Sequence, residues 1–586
     1  MRNGNILNKK FFQFLLPTAL SVMAVSLNEF VDGILVANLI DADAMTLVGM
    51  GSPLMIAYGM VYTLLGVGGS TVYAKYLGRY ETEKADRAFT VTALAAAAIS
   101  LAVLLLGFAF MGPLSAALCR AAEYRAVFDG YLKALLLSSV LIIPIQVLIS
   151  FTPAFGCPGT GTFINIAANA VNLIMDYVLI RFFSMGLAGA AYATLSGYVV
   201  GLAIILALCA AGKLRLPFAS VSPRDGGELL EAASVGVSPA ANQAGYCVKI
   251  SFSNALAFSL AGMAGTTVFT VCMQAVSMVS VFIGGVINAV IPIVSSLYGQ
   301  RDYSGVKILM KTAALVQFAM NLAILLFLEL WPQGILAIYN VTGESAPLAA
   351  AGLRIFALMF LFRGFVLLYM YYFPVIGRRT YAFLISLTDG FAGLIPLALL
   401  LTKRNGIDGL WQSYALLSVL LLCAVLAVNL VISRRSGGKY SKLLLLEHED
   451  KAIPVYERSI KTEAASVSRL SESIQAFCVR EGVEARLALL TALSVEEMGA
   501  YTADQNSSAR IEDLDILLKI YPDHILMDFR SIGRPFDTSA APEEYSNMAV
   551  LKKIVTSMEY HYILGMNQTR LVCGAVPGSD TVYQTG

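Results

Sequence analysis

Twelve stretches of this chain are each long and apolar enough to cross a lipid bilayer, and that feature decides most of what it can fold into. They lie near 11–39, 46–74, 88–118, 131–155, 160–183, 186–212, 230–260, 265–298, 308–340, 348–376, 380–402 and 408–433. A helix needs about 20 mostly apolar residues to span the hydrocarbon. Composition agrees: 57% of the 586 residues are hydrophobic and 14% charged, with a mean hydropathy of +0.71, where a soluble chain is about 25% charged. The opening "MRNGNILNKKFFQFLLP" places basic residues before an apolar run but has no small-residue cleavage site, so it reads as a retained first helix.

Lysine and arginine predict the orientation. With the N-terminus in the cytoplasm, that side collects Lys9 and Lys10, Lys75 to Arg87, Lys213 and Arg215, Arg301 to Lys311, Arg378 and Arg379, and Arg434 to Lys442. Both termini are then cytoplasmic in a multi-pass protein of the cell membrane. The net charge of +2 hides a split, for residues from Tyr440 onward hold 14 Lys and Arg against 21 Asp and Glu. A basic, apolar part precedes an acidic, mixed tail. The eight cysteines form no CxxC pair and read as packing residues. All three histidines lie in the tail, which excludes a histidine-ligated metal in the membrane part.

The membrane part echoes itself at an offset of about 220. "YLGRYETEKADRA" (76–88) answers to "LYGQRDYSGVK" (297–307), and "MGLAGAAYATLSG" (185–197) to "NGIDGLWQSYALL" (405–417). Six spans separate the echoes, so both halves point the same way, with an axis along the membrane normal and a cavity between them. "GVGGS" (66–70) lacks the ending of a phosphate loop. Six plus six spans without an ATP-binding cassette indicate a secondary transporter rather than an enzyme.

Charge inside those spans marks the site. "SLNEFVDGILVANLI" (26–40) carries Glu29 and Asp32, and a carboxylate at mid-bilayer costs at least about 2.5 kcal/mol. "FINIAANAVNLIMDYVLI" (163–180) places Asn165, Asn169, Asn172 and Asp176 at spacings of four, three and four, on one helical face. Thr194 adds a hydroxyl from the sixth span. Carboxylate, amide and hydroxyl oxygens form a hard set suited to a small cation, and a sodium ion or a proton relieves the repulsion between two nearby acids. The alternative is that the amides join helices and hydrogen-bond Asp32 for stability alone.

"LPTALSVMAVSLNEFVDGILVANLIDADAMTLVGMGSPL", "GVGGSTVYAKYLG" and "NLIMDYVLIRFFSMGLAGAAYATLSG" resemble the multidrug and toxin extrusion (MATE) transporters, over roughly residues 6–435. The resemblance implies two bundles of six helices that export organic, often cationic compounds against sodium or proton entry. It also implies a cation site of Asp32, Asn172, Asp176 and Thr194, a sodium site in sodium-coupled members. The pattern departs in "SFTPAFGCPGTG" (150–161), which retains only Gly156 and Pro158 of an arginine-containing segment. Lys249 stands where some relatives place an acid. Lys249 or Arg363 is placed to pair with Asp389, or else to form a cationic cavity face that favours anionic or zwitterionic substrates.

The expected architecture is an all-α polytopic membrane protein, with bundles over 1–212 and 213–436, a linker over 437–455 and a cytoplasmic α/β sandwich over 456–586. In the tail, two amphipathic helices precede two strands around Tyr521 to His524, then a helix near "MAVLKKIVTSM" and a closing strand "TRLVCGA". This part resembles the ATP-binding fold of anti-sigma-factor serine kinases and histidine kinases, with damaged key positions. Glu497 fits the base, but Tyr501 replaces the magnesium-binding asparagine and Ser531 the adenine-reading aspartate, while Gly533, Pro535 and Asp537 remain. The resemblance implies a degenerate nucleotide site that serves regulation or a cytoplasmic protein partner. The function expected is export of small organic compounds coupled to Na+ or H+, with no other cofactor and no nucleic acid. Alternatives are a lipid-linked saccharide flippase of the same superfamily, or a membrane sensor acting through its tail.

Overall fold

A computed structural model describes residues 4–40, 42–119, 122–222, 226–338, 345–448, 453–505, 513–538 and 546–574. Among the described residues the apolar stretches are predominantly helical. The first span is Asn5–Leu39, and the second runs from Ala42–Tyr62 through a π turn, Thr63–Val67, into Gly68–Gly78. Thr82–Ala109, Arg125–Phe151, Pro158–Tyr177 and Gly186–Ala210 form the third to sixth. The seventh and eighth lie within Gly226–Gly299, separated by a kink where Ala261 and Gly262 leave helical geometry. Tyr303–Leu330, Ser345–Val375, Arg379–Asn405 and Asp408–Arg435 complete the set.

Eleven described helices meet the length and apolarity of a membrane span. The twelfth, 226–260, is more polar because Asn242, Gln243, Lys249 and several serines interrupt it. The third and ninth spans start about six residues before their expected limits, because the first turn of each is polar. Asp302 caps the ninth, its carboxylate accepting from Gly305 N at 2.8 Å.

Backbone geometry repeats at the offset seen in the sequence. Tyr80 (φ 63°) matches Arg301 (φ 56°), Gly156 (φ 82°) matches Gly377 (φ 81°), and Gly186 (φ 54°) matches Gly406 (φ 58°). The left-handed region is costly for residues such as Tyr80 and Arg301 and open to glycine, so three such pairs in equivalent loops mark one turn chemistry used twice.

The halves, spans one to six and seven to twelve, close against each other on the face that carries the tail. Gly68 and Gly236 bring the second and seventh spans to backbone contact, at Ala232 O and Leu64 O. Glu231 of the seventh span takes Lys75 Nζ at 3.0 Å, the Tyr76 hydroxyl at 2.7 Å and Arg379 Nη2 at 3.5 Å. That carboxylate ties the second, seventh and eleventh spans together.

In the stretch expected as a linker, residues 440–447 fold back onto the second half. Leu445 and Leu446 are buried in its core, and the Tyr372 hydroxyl donates to Leu444 O at 2.9 Å. The tail is a five-stranded antiparallel sheet of order β1-β2-β3-β5-β4, with β1 Val455–Lys461, β2 Asp513–Ile520, β3 His524–Ile532, β4 Ser557–Ile563 and β5 Met566–Gly574. Helices Ala464–Arg480, Ala485–Gln505 and Ser546–Ile554 cover one face. The sequence analysis misses β1 and β4, edge strands rich in charged and polar residues whose alternation is weak; the helix expected to reach Met558 ends at Ile554.

The other sheet face is buried as well. Arg530 on β3 donates to Asp302 Oδ2 at 3.2 Å and to Gln300 Oε1 at 2.6 Å. Lys519 reaches Arg301 O at 3.0 Å, and Ser304 donates to Glu457 at 2.7 Å. Arg570 forms a two-point pair with Asp528 at 2.7 and 3.0 Å and lies 4.2 Å from the centre of the Tyr80 ring.

Candidate cation site and the cavity between the halves

The fifth span turns its polar stripe inward, with Asn165, Asn172 and Asp176 all buried. Lipid gives such side chains no partner, so the stripe seeks the first and sixth spans. Near its tail-side end, Asn165 Nδ2 donates to Ser21 Oγ at 2.7 Å, and Gln146 donates to Asn165 Oδ1 at 3.4 Å and to the Tyr198 hydroxyl at 2.9 Å. One to two turns further, Asn172 Nδ2 donates to Thr194 Oγ1 at 3.3 Å. Asp176 lies one turn beyond Asn172, and its carboxyl comes within hydrogen-bonding reach of that of Asp32 on the first span.

Three of the four oxygens of these carboxyls lack a donor among the described residues. Among the described residues, both Asp176 oxygens and Asp32 Oδ1 are buried without a hydrogen-bond partner, as are Asn28 Oδ1 and Asn169 Nδ2. Buried polar atoms are nearly always paired, so five orphans on facing helices define a place built for something else. Two unit charges 4 Å apart repel by about 4 kcal/mol at an effective dielectric of 20. A proton or a small cation between them cancels that repulsion. The oxygens fit a hard cation such as sodium: two carboxylates, the Asn172 amide oxygen and the Thr194 hydroxyl.

The structure thus brings Asp32, Asn172, Asp176 and Thr194 to one region, with Asn169 beside it. The side chain of Glu29 lies outside the described ones. Sequence reasoning missed Asn28, one turn before Asp32 and legible from the same helical spacing. It also missed Tyr131 of the fourth span, a buried ring close enough to feel both acids. No sequence pattern marks Tyr131, because the polar residues of its helix, among them Asp129, Lys133 and Gln146, form no stripe that includes it.

The second half handles its carboxylate differently. Asp389 sits in a π turn, Thr388–Ala392, of the eleventh span. It lies 3.6 Å from Lys249 Nζ and 3.5 Å from Arg363 Nη2, and Asn242 Nδ2 donates to it at 3.1 Å. Lys249 also donates to the Asp389 carbonyl at 2.7 Å and lies 5.3 Å from the centre of the Tyr414 ring. All three charged groups are buried, so the cations of the sequence analysis form an ion cluster.

Between the halves lies a cavity of 480 Å³. The first half lines it with Ser21, Gln146 and Asn165 among others, and the second with Asn242, Gln243, Tyr246, Asn288 and Arg363. Asn165 opens on it, and the stripe runs from there to Asp176 over eleven residues, about 16 Å at 1.5 Å per residue. The polar row therefore connects the cavity with the acid pair.

In the tail, Tyr501 is buried and meets Phe536 edge to face at 5.8 Å, and Phe536 leans on Tyr560 at 6.1 Å. Ser531 is buried on β3, Gly533 O accepts from the Tyr562 hydroxyl at 3.2 Å, and Glu497 is half-buried on its helix. Burial and neighbouring Glu496 raise the Glu497 carboxyl above its ordinary value.

A family model described as MatE matches residues 17–178 and 247–395. The multidrug export protein MepA of Staphylococcus haemolyticus is 23% identical over 464 residues, 75% of this chain and 97% of that protein. MepA of a Staphylococcus aureus strain is 29% identical over 191 residues, so the chain spans about 41% of that relative's length. Among solved structures, a MOP-superfamily transporter from Pyrococcus furiosus, described with a binding pocket of reversed polarity, aligns with a TM-score of 0.68 at 19% identity, covering 75% of this chain and 98% of its own. An outward-facing multidrug resistance MATE family transporter aligns equally well at 19% identity, covering 72% and 94%.

Proposed function

Because the chain belongs to the MatE family, whose members are membrane transporters and not enzymes, we propose that it exports small organic compounds across the cytoplasmic membrane, coupled to entry of sodium ions or protons. One observation carries the reading: Asp32 and Asp176 face each other inside the first half with no cation or donor among the described residues. A group that must be charged for one step and neutral for another needs that isolation. Loading a cation or proton there stabilises one arrangement of the first half, and its release to the cytoplasm restores the other. Asp32 and Asp176 supply the charge, while Asn172 and Thr194 supply neutral oxygens that replace water around a bare ion. The hydrogen bonds of Asn165 with Ser21 and Gln146 relate that event to the cavity where substrate is held.

The tail face is assigned to the cytoplasm on the basic residues that cluster there, which places both termini inside the cell. The bundle boundaries proposed are 1–212 and 213–436, with the cytoplasmic domain over 456–586. Within it, Tyr501, Phe536 and Tyr560 pack where a nucleotide-binding relative needs an amide and an open adenine slot. The domain is therefore a regulatory module that does not bind magnesium-ATP tightly, and saturable, magnesium-dependent ATP binding by the full chain would overturn this.

The transport test uses proteoliposomes loaded with a fluorescent organic dye, with a sodium gradient in one arm and a pH gradient in the other. The gradient that drives dye movement identifies the ion, and Asp32→Asn abolishes that drive while the protein remains folded. Undiminished gradient-driven movement in Asp32→Asn rejects the site.

A further inference from the structure

We infer that the cavity recognises an anionic or zwitterionic substrate through Arg363, which deepens the transport reading and rests on it. Arg363 is the one charged residue among the described cavity-lining side chains; every other polar group there is an amide, a hydroxyl or a phenol. Behind it, Lys249 and Arg363 share the single carboxylate of Asp389, which leaves one positive charge in excess. The Arg363–Asp389 contact is long at 3.5 Å, outside the usual range of a strong pair. Lys249 sits deeper and holds the Asp389 backbone at 2.7 Å, so Asp389 keeps a partner if Arg363 turns away. A guanidinium has five donors, and this one spends a single weak bond on Asp389. Its planar fork suits a carboxylate or phosphate presented from the cavity. The acid pair does not line the cavity, so no described carboxylate there offers a cation a partner. Asn242, Asn288 and Gln243 line the same cavity and offer neutral donors and acceptors to the polar remainder of such a ligand.

The test measures equilibrium binding of two dyes to the purified full chain in lipid nanodiscs: carboxyfluorescein, an aromatic anion, and rhodamine 6G, an aromatic cation. Carboxyfluorescein is expected to bind at least about tenfold tighter, Arg363→Gln to lose about ten- to a hundredfold of its affinity, and Arg363→Lys, which keeps the charge but not the planar fork, to lose less than Arg363→Gln. Equal or tighter binding of the cation, no binding of either dye, or an unchanged Arg363→Gln overturns the inference. Gradient-driven movement of the same dyes is read separately. Movement without charge preference rejects the anion site alone. A binding preference without movement rejects the export reading alone.

A different observation carries a second inference: the docked tail ties the two halves together and holds the tail face shut. The outer face of its sheet grips the second half through Gln300, Asp302 and Ser304. The first half is held at Tyr80, whose ring lies under Arg570 and 4.7 Å from the His561 ring. The β4–β5 turn, Leu564 and Gly565, adds to the hold on the first half: Lys10 Nζ approaches Gly565 O at 3.4 Å and Gly156 abuts the same turn, while Leu564 is buried in a core cluster shared by the first span and the second half. Tyr80 and Arg301 occupy equivalent loops of the repeat, so rocking one half against the other separates the two footholds.

Spin labels at Lys84 and Lys307, in a cysteine-depleted full chain, report that separation. The double variant Tyr80→Ala, Arg530→Glu is expected to expose loop 299–304 to hydrogen exchange and at least to double the long-distance population. Exposure of the loop with an unchanged distance distribution overturns the inference, and so does a loop that stays protected.

Discussion

The two halves share one architecture and each buries acid in its core, yet they treat that acid in opposite ways. In the first half Asp32 and Asp176 lie within reach of each other, with orphaned oxygens and no cationic partner among the described residues. In the second, Asp389 is held by Lys249, Arg363 and Asn242. A charge without a fixed partner can be filled and emptied; a charge that keeps Lys249 as its partner, with Arg363 beside it, stays neutralised. The duplication thus supplies two copies of a scaffold, and side-chain changes divide the work into a moving charge and a fixed one.

Removing one member of the acid pair gives the largest expected effect on function. Asp176→Asn should reduce gradient-driven efflux to the level of empty liposomes without lowering the melting temperature, since it removes a buried charge that has no partner. A melting temperature that falls as much as in an Asp389 variant would erase the contrast between the halves. For stability the order reverses. Asp389→Asn leaves two buried cations uncompensated and should cost about 3–5 kcal/mol, read as a lowered unfolding temperature. Adding Lys249→Met to that variant should recover part of the loss, as expected for residues in contact.

A smaller change sharpens the assignment of neutral ligands. Thr194→Val removes one oxygen and should raise the half-saturating concentration of the coupling ion about five- to tenfold, with the maximal rate of efflux little changed. The smallest effect concerns the tail. Burial lowers the His561 imidazole below its ordinary 6.5, Arg570 acts in the same direction, and Glu559 and Asp537 oppose them. The docked tail therefore favours neutral His561. Docking should be strongest above pH 6.5 and weaken as the pH falls through that value. Protection of the Tyr80 loop against hydrogen exchange, compared at about pH 7.5 and 5.5, measures the loss, and His561→Asn should flatten it.

Much of the first half was legible because its signals are periodic. The stripe of Asn165, Asn169, Asn172 and Asp176 obeys helical spacing, so its shared face follows from the chain alone. The partner across the gap did not follow that way: Asp32 and Asp176 are 144 positions apart, and resemblance to a family, not spacing, joined them before the fold did. In the second half the residues were recognised but their use stayed open, since Lys249, Arg363 and Asp389 come from three helices and only packing decides who holds whom. The tail strands β1 and β4 were missed because their polar residues contact loops far away in sequence, which no local alternation reports.

By itself the sequence determined the helical membrane class, the repeat and the inward face of the fifth span, because lipid forces every polar residue to be accounted for along the helix that carries it. Only the tertiary structure decided that one carboxylate cluster lacks a partner while the other is neutralised, and that Asp528, Arg530 and Arg570 lie buried under the membrane part instead of in water. Such outcomes depend on distances between groups remote in the chain, and electrostatic energy is set by those distances and by burial, neither of which a linear order of residues contains.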